Sequence, residues 1–447
     1  MKKRQAAAHR CSLSGHVDGG RSITQERIVV KMFEGEEKLR QRASKPIPMH
    51  VEEVAPGVSC FRNFGTSNAI LIKGAGEAVV IDALESDGYA KEARAYIDRP
   101  VKTLIYTHSH GDHTGGAVVL GAEAERIIAR EEHALGRAEL LVNCDLVRKI
   151  KQFGMGLTPE DIISLGIAPL MPAKGERGFL EPTLILHEEE YVLYSADREI
   201  VLIAAPGETD DTQYVWLPKE RILCCGDNFY DSFPNLYSLK GTPYRDVDNW
   251  VRALDKILEL MPDILIPGHG DVLRGWENIQ AVISPYREAL TYVLEQTLQK
   301  MNQGHTMQRI VDEVKLPPHL AGNPYLQEFY GTVEWSVRSI YTGYYGWFDG
   351  NPVRLSSLPE DVQAKNYVDL AGGAEQMLSA ARKAHDAGDY QWSAELCDHL
   401  QRAGLADEKT LRLQADNFTR LGRQQISANG RHFYLMSAKE LLDKLEQ

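Results

Sequence analysis

The sequence predicts an α/β (α+β) domain of short strands followed by an all-helical domain, and three observations carry that division. Between Val51 and Ala83, short apolar runs are cut by Gly65, Gly74 and Gly76, the pattern of hairpin-connected strands. Further on, apolar runs end abruptly in polar clusters, as where Val101 to Tyr106 enters His108, His110, Asp112 and His113. Beyond about Ile283, apolar residues fall at helical spacing almost throughout. A chain of 447 residues exceeds what one core usually holds. We therefore expect an N-terminal extension over residues 1–47, a strand-rich domain over 48–282 and a helical domain over 283–447.

Taken in order, residues 1 to about 46 are polar, with a helical possibility over Ile28 to Arg42 and no chemistry. Strands are expected at Val58 to Phe64, Ala69 to Ile72 and Ala78 to Ala83, then a short helix at about Gly88 to Asp98. After the His-rich strand end comes a helical block from Glu131 to Phe153. Thr158 then reads as an N-cap with Pro159 at the first helical position. Residues 131–175 are expected to overhang the site. Strands resume at Thr183 to Leu186, Tyr191 to Leu193 and Glu199 to Ala205. Asp248 to Met261 carries Val251, Leu254, Ile257, Leu258 and Met261 at helical spacing, a face for covering a sheet. Further helices are expected at Tyr286 to Met301, Thr306 to Val314 and Gln327 to Tyr341, and in the block Asn366 to Gln447.

Composition narrows the partners. Hydrophobic residues at 43% and charged residues at 25% are ordinary for a globular protein, and a net charge of −13 argues against a nucleic-acid partner. Cys11, Cys60, Cys144, Cys224, Cys225 and Cys397 are scattered, and the adjacent pair lies in an apolar strand, which fits a reducing compartment. Cys225, buried beside Asp227, is expected to be inert rather than a nucleophile. The basic N-terminus lacks the apolar stretch of an export signal, and no later segment is apolar enough to span a membrane, so a cytoplasmic location is expected.

The chemistry concentrates in VKTLIYTHSHGDHTGG, Val101 to Gly116. His108 and His110 are two apart, so in extended backbone both imidazoles point to one side. Asp112 and His113 follow Gly111, where the chain can turn into a helix. Four ligands in so short a span can serve two metals, with zinc the first expectation and iron or manganese the second. Gly115 and Gly116 leave room for close packing behind them.

This H-x-H-x-D-H set resembles the metallo-β-lactamase superfamily, which implies an αββα sandwich and further ligands at later strand ends. Glu208 in Pro206-Gly207-Glu208, Asp227 in Gly226-Asp227-Asn228 and His269 in Pro267-Gly268-His269 stand at such ends. The resemblance implies one metal on His108, His110 and Glu208, another on Asp112, His113 and His269, and Asp227 bridging them. Most members carry His where Glu208 stands, and Glu there is similar to the alkylsulfatase branch. The segment FYGTVEWSVRSIYTGYYGWFDGNP, Phe329 to Pro352, resembles the helical dimerisation domain of that branch.

What the resemblance implies is a homodimeric hydrolase with two divalent metal ions, using a metal-bridging hydroxide on a small anionic ester, foremost an organic sulfate. Hydrolysis of another ester (a phosphodiester, lactone or thioester) is the alternative. A non-catalytic metal-binding or scaffold protein is a second, disfavoured because all seven ligands are present. Asn235 and Lys240 stand where the family places an Asn and an Arg against sulfate, and Lys supplies a point charge without the planar fork of Arg. Asp112, Asp227 and Lys240 are the expected catalytic residues. Asn235, Lys240, Trp335 and Arg338 are the expected substrate contacts. Trp335 aligns with a family His thought to protonate the leaving group, which an indole N–H cannot do. The sequence also ends before the sterol-carrier-like domain of fully developed members. Weak turnover of long primary alkyl sulfates is the resulting expectation.

Overall fold

Two β-sheets face each other, and the side chains that alternate inward from their strands form the layer between them. The computed structural model describes residues 33–44, 48–130 and 146–446. In the first sheet β1 (His50–Ala55), β2 (Val58–Arg62), β3 (Ala69–Lys73), β4 (Ala78–Ile81), β5 (Val101–Ile105), β6 (Arg126–Arg130) and β7 (Leu184–Leu186) lie in chain order. The first four form an antiparallel meander, and β4 to β7 run parallel. The second sheet contains β8 (Glu190–Ser195), β9 (Arg198–Ala204), β10 (Gln213–Leu217), β11 (Ile222–Gly226), β12 (Ile264–Pro267) and β13 (Leu273–Arg274), again in chain order across the sheet. Val58, Ile70 and Ile105 from one sheet meet Leu202, Val215 and Ile266 from the other, all buried.

Each outer face is covered by helices. Asp87–Arg94 and Ala117–Leu120 pack on the first sheet, and Val247–Leu260 with Trp276–Asn302 on the second, completing the expected αββα order. β10 and β11 are buried along their whole length because sheet and helices sandwich them, which is why they read as continuous apolar runs. Asp246 caps the helix Val247–Leu260 by accepting from the Asp248 and Asn249 amides, and Trp250, Leu254 and Ile257 line its buried face. The Trp250 indole donates to the Asn228 carbonyl at 2.9 Å, tying this helix to the loop after β11.

The expected boundary at 282/283 falls inside the helix Trp276–Asn302, which carries Pro285 in its interior. The sequence suggested a start at Tyr286 because proline removes a donor and crowds the preceding turn. Ile279, Val282, Ile283, Tyr286 and Leu290 nonetheless join the core against the second sheet, so burial of that face outweighs one missing bond. Strands β1, β6, β10 and β13 were not among those expected from the sequence. Of the two early helical expectations, Glu34–Ala43 and residues 146–152 are helical, while residues 28–32 and 131–145 lie outside the described residues, as do Cys11 and Cys144.

The remaining helices, including Val333–Tyr345, Glu360–Leu370, Ala374–Asp386, Tyr390–Arg402, Glu408–Gln424 and Ala428–Leu445, form the helical region expected from the periodicity. The last of them reaches back to the insertion beside the sandwich. Arg431 donates to the Asp161 carbonyl at 2.6 Å, and the buried His432 ring lies between the Gln152 and Ile162 carbonyls at 3.1 and 3.0 Å. Among the described residues no helix is long and apolar enough to cross a membrane.

Trp250→Ala removes a fully buried ring and its hydrogen bond. It is expected to cost about 3–5 kcal/mol of stability, read from the urea midpoint of the intact chain, whereas Trp250→Phe costs about 1–3 kcal/mol.

Candidate metal centre

Seven ligand-type side chains converge at the C-terminal ends of four strands. β5 delivers His108 and His110. The short helix Gly111–Thr114 turns Asp112 and His113 back over the sheet, and the loops after β9, β11 and β12 deliver Glu208, Asp227 and His269. Gly115 and Gly116 permit that turn, since a side chain on either would strike the Glu85 or Ala83 carbonyl.

The ligand atoms form two groups, His108, His110, Glu208 and Asp227 in one and Asp112, His113 and His269 in the other. In the first, the Glu208 carboxylate lies 3.2 Å from His110 Nδ1 and 3.6 Å from His108 Nε2. In the second, His269 Nε2 is 3.4 Å from Asp112. Asp227 faces both groups, with one oxygen 3.3 Å from His113 Nε2 and the other 3.1 Å from His269 and 3.7 Å from His108. Among the described residues His113 Nε2, Glu208 Oε2 and Asp227 Oδ1 are buried without a hydrogen-bond partner. Buried polar atoms left open and aimed at shared space fit a cation, and imidazole plus carboxylate suits zinc, iron or manganese.

The far side of each imidazole is fixed. His113 Nδ1–H donates to Asp82 at 2.7 Å and His269 Nδ1–H to the Thr66 carbonyl at 2.7 Å, so Nε2 of each faces the cluster. His108 Nδ1 lies 3.0 Å from the Thr107 hydroxyl, which donates in turn to Asp82 at 2.8 Å. Such partners set tautomer and ring orientation for a metal. Glu208 is held similarly: its amide donates to Asn228 at 2.9 Å, and its Oε1 accepts from the buried Arg245 at 2.7 Å.

The electrostatics favour ionised carboxylates. Burial pushes Asp112 and Asp227 up, but the neighbouring His113 and His269 outweigh it and hold both carboxyls well below the usual range. Burial pushes His113 and His269 down, but Asp227, Asp82 and Asp112 raise His113 well above its ordinary value, and Asp227 with Asp112 raises His269 to about 10. His108 goes the other way, lowered by burial and by repulsion from His113. Metal ions therefore compete with protons at His113 and His269, and acidification favours the protons.

A cavity of about 910 Å³ opens onto the cluster, and Asp112, Glu208, Asp227, His269, Asn235 and Lys240 all line it. The insertion supplies an apolar wall, including Met155, Leu157, Ile162 and Leu165. Gln152 locks this wall to the loop of Asn235 and Lys240, its side-chain oxygen accepting from the Ser238 hydroxyl at 2.9 Å and the Lys240 amide at 2.6 Å.

Trp335 and Arg338 are not brought to this cavity. Thr332 caps the helix Val333–Tyr345, so Trp335 starts its first turn facing Gly430 and lines a separate cavity of about 850 Å³. Arg338, one turn on, pairs with Glu334 at 2.8 Å and Gln308 at 2.9 Å. The aromatic from this segment that does line the metal-side cavity is Tyr330, just before the cap. Sequence reasoning missed Asp82, Gln152, Arg245 and Tyr330. Asp82 alone had a local signal, an acid directly after a buried apolar strand. Cys225 is buried and its thiol pushed up by burial and by Asp227, in keeping with an inert residue.

The sandwich and the cluster at its strand ends define a metallo-β-lactamase-type metal site. The superfamily model for metallo-β-lactamases matches residues 62–269, and the model for alkyl sulfatase dimerisation matches residues 306–444. A linear primary-alkylsulfatase from a Pseudomonas species is 36% identical over 385 residues, 82% of this chain and 72% of that one. The alkyl/aryl-sulfatase BDS1 of Saccharomyces cerevisiae is 30% identical over 87% of this chain, which spans only 63% of its length. The solved stereoselective inverting sec-alkylsulfatase Pisa1 from Pseudomonas sp. superposes with a TM-score of 0.85 at 27% identity, over 90% of this chain and 67% of that one. The chain belongs to the alkylsulfatase branch of the metallo-β-lactamase superfamily.

Asp82→Asn keeps the shape but removes the charge that orients His113. Metal affinity is expected to fall about 10–100-fold, read by competition with a chromogenic chelator, with little change in the unfolding midpoint.

Proposed function

We propose that the protein hydrolyses sulfate esters of apolar alcohols at a binuclear metal centre, with zinc the first choice of metal. One observation carries this reading: a single cavity joins five of the seven ligand-type residues, His110, Asp112, Glu208, Asp227 and His269, to Asn235, Lys240 and an extended apolar wall. An ester with an anionic head and a hydrocarbon body matches such a lining. His108, His110 and Glu208 would hold one ion and Asp112, His113 and His269 the other, with Asp227 between. The pair of ions supplies Lewis acidity that activates water near neutral pH and offsets charge on the leaving oxygen.

The chain's own groups account for the rest. Asn235, itself buried, and Lys240 hold the sulfate oxygens. Arg245 keeps Glu208 turned toward the cluster while donating to the Asn235 carbonyl at 2.7 Å, so ligand and anion loop share one anchor. The walls contributed by Met155, Leu157 and Ile162 exclude water and hold the alkyl body. This wall offers a hydrocarbon body a place beside the metal ligands. The four described cysteines, Cys60, Cys224, Cys225 and Cys397, are buried free thiols, which supports a reducing, cytoplasmic setting.

The assembly we propose is a homodimer through the segment after the helix Val333–Tyr345. Trp347 is 75% exposed, Val353 78% and Leu370 84%, and Tyr344, Leu355 and Leu358 extend the same apolar run. Patches of this kind mark partner surfaces. Sedimentation is expected to show a dimer, and Trp347→Asp with Val353→Asp a folded monomer. A wild type that sediments as a monomer at micromolar concentration refutes the assembly.

The reading is tested by metal analysis and an ester screen. Intact protein is expected to hold about two metals per chain and to release sulfate from alkyl or aryl sulfates, with His110→Ala losing more than about 100-fold in rate. Lys240→Ala is expected to raise KM about 10-fold for a sulfate ester and less than about twofold for a neutral carboxylate ester. Turnover of carboxylate or phosphate esters with none of sulfate esters would overturn the substrate.

A further inference from the structure

Arg177 belongs to the stretch after the expected insertion, which sequence motifs left unassigned. It lines the metal-side cavity together with Lys240 and rests on Gly111, the residue between the two ligands His110 and Asp112. A β-carbon on Gly111 would lie 2.7 Å from an Arg177 guanidinium nitrogen, closer than real side chains approach, so the guanidinium occupies the space that glycine leaves. Two other cations of the cavity are committed to partners. Lys174 is paired with Glu92, and Arg245 is committed to Glu208 and the Asn235 carbonyl. Among the described residues the Arg177 guanidinium has neither a hydrogen-bond nor an ion-pair partner.

An exposed arginine normally reaches for one of the carboxylates around it or extends into water. Here it lies against Gly111, between two ligands in sequence, with no partner for its donors among the described residues, in a cavity read as binding an anion. Lys240 offers that anion a point charge, whereas a guanidinium offers two parallel N–H donors in a plane, the geometry that matches two oxygens of a tetrahedral oxyanion.

We propose that Arg177 is a substrate-binding residue, which grips two oxygens of the ester's anionic group in the cavity that Lys240 also lines, and that Gly111 is the residue that admits it. The assignment rests on the anionic-ester reading of the cavity. It places the planar fork, absent at position 240, on a different segment of the chain. Specificity for a tetrahedral anion then comes from the insertion side of the cavity and from the loop of Asn235 together.

The test uses intact zinc-loaded protein, titrated calorimetrically with inorganic sulfate and assayed with p-nitrophenyl sulfate and the neutral p-nitrophenyl acetate. Arg177→Ala is expected to weaken sulfate binding and raise KM for the sulfate ester about 10-fold, leaving KM for the acetate within about twofold. Arg177→Lys should fall between wild type and Arg177→Ala, because it restores charge without the fork. Gly111→Ala, which displaces the guanidinium, should weaken sulfate binding to a similar extent and add nothing in the Arg177→Ala background. Unchanged sulfate affinity in Arg177→Ala, additive effects of the two substitutions, or a wild type that does not bind sulfate would each overturn the assignment. A wild type that binds sulfate through Arg177 yet hydrolyses no sulfate ester would retain the anion contact and defeat the sulfatase reading instead.

Discussion

The buried Asp82 carboxylate fixes the centre from beneath. It accepts from the Thr107 amide at 2.7 Å, from the Thr107 hydroxyl at 2.8 Å and from His113 at 2.7 Å. Three donors on one buried carboxylate hold it in a single orientation. They join the end of β4 to the end of β5 and set two imidazoles, His113 directly and His108 through Thr107. Asp82 adopts a left-handed φ of 59°, a conformation Asp tolerates better than most residues, so the strand end bends to put the carboxylate under the cluster. The ligands above it inherit their positions from this point.

The cavity above the ligands is assembled from three distant parts of the sequence. The insertion brings the apolar wall, the segment after β11 brings Asn235 and Lys240, and the last helix holds the insertion in place through Arg431 and His432. Gln152 stands where the three meet. Its carbonyl lies against His432, while its side chain accepts from Ser238 and the Lys240 amide. The helical region matched by the dimerisation model therefore also braces the wall of the cavity.

Charge is balanced locally rather than by solvent. The Glu208–Arg245 pair is almost wholly buried, a costly arrangement unless both members are satisfied. Arg245 gives one guanidinium nitrogen to both the Glu208 carboxylate and the Asn235 carbonyl, while its Nε stays buried without a partner among the described residues. Glu208 keeps one oxygen unpaired toward His108 and His110. Without Arg245 the cluster would gather another uncompensated negative charge, and Glu208 would lose the contact that selects its orientation.

Most of the strands, the covering helix Val247–Leu260 and the cluster His108, His110, Asp112 and His113 were legible in the sequence, because apolar periodicity and strand-end clusters are properties of neighbouring residues, while the family resemblance supplied Glu208, Asp227 and His269. His108, His110, Asp112 and His113 lie within one turn of chain, and Glu208, Asp227 and His269 each follow an apolar run. Only the tertiary structure could decide which residues complete the site. Asp82, Gln152, Arg177 and Arg245 act through contacts across tens to hundreds of positions, and of these only Asp82, at a strand end, left any local trace. The same limit explains Trp335 and Arg338, where resemblance supplied an alignment but the cap at Thr332 set the direction of the first helical turn. It also explains the helix expected to begin at Tyr286, which burial against the second sheet carries back through Pro285 to Trp276. Sequence determined which chemistry the chain carries. Packing determined which side chains meet, since side-chain direction depends on neighbours that the folded chain alone brings together.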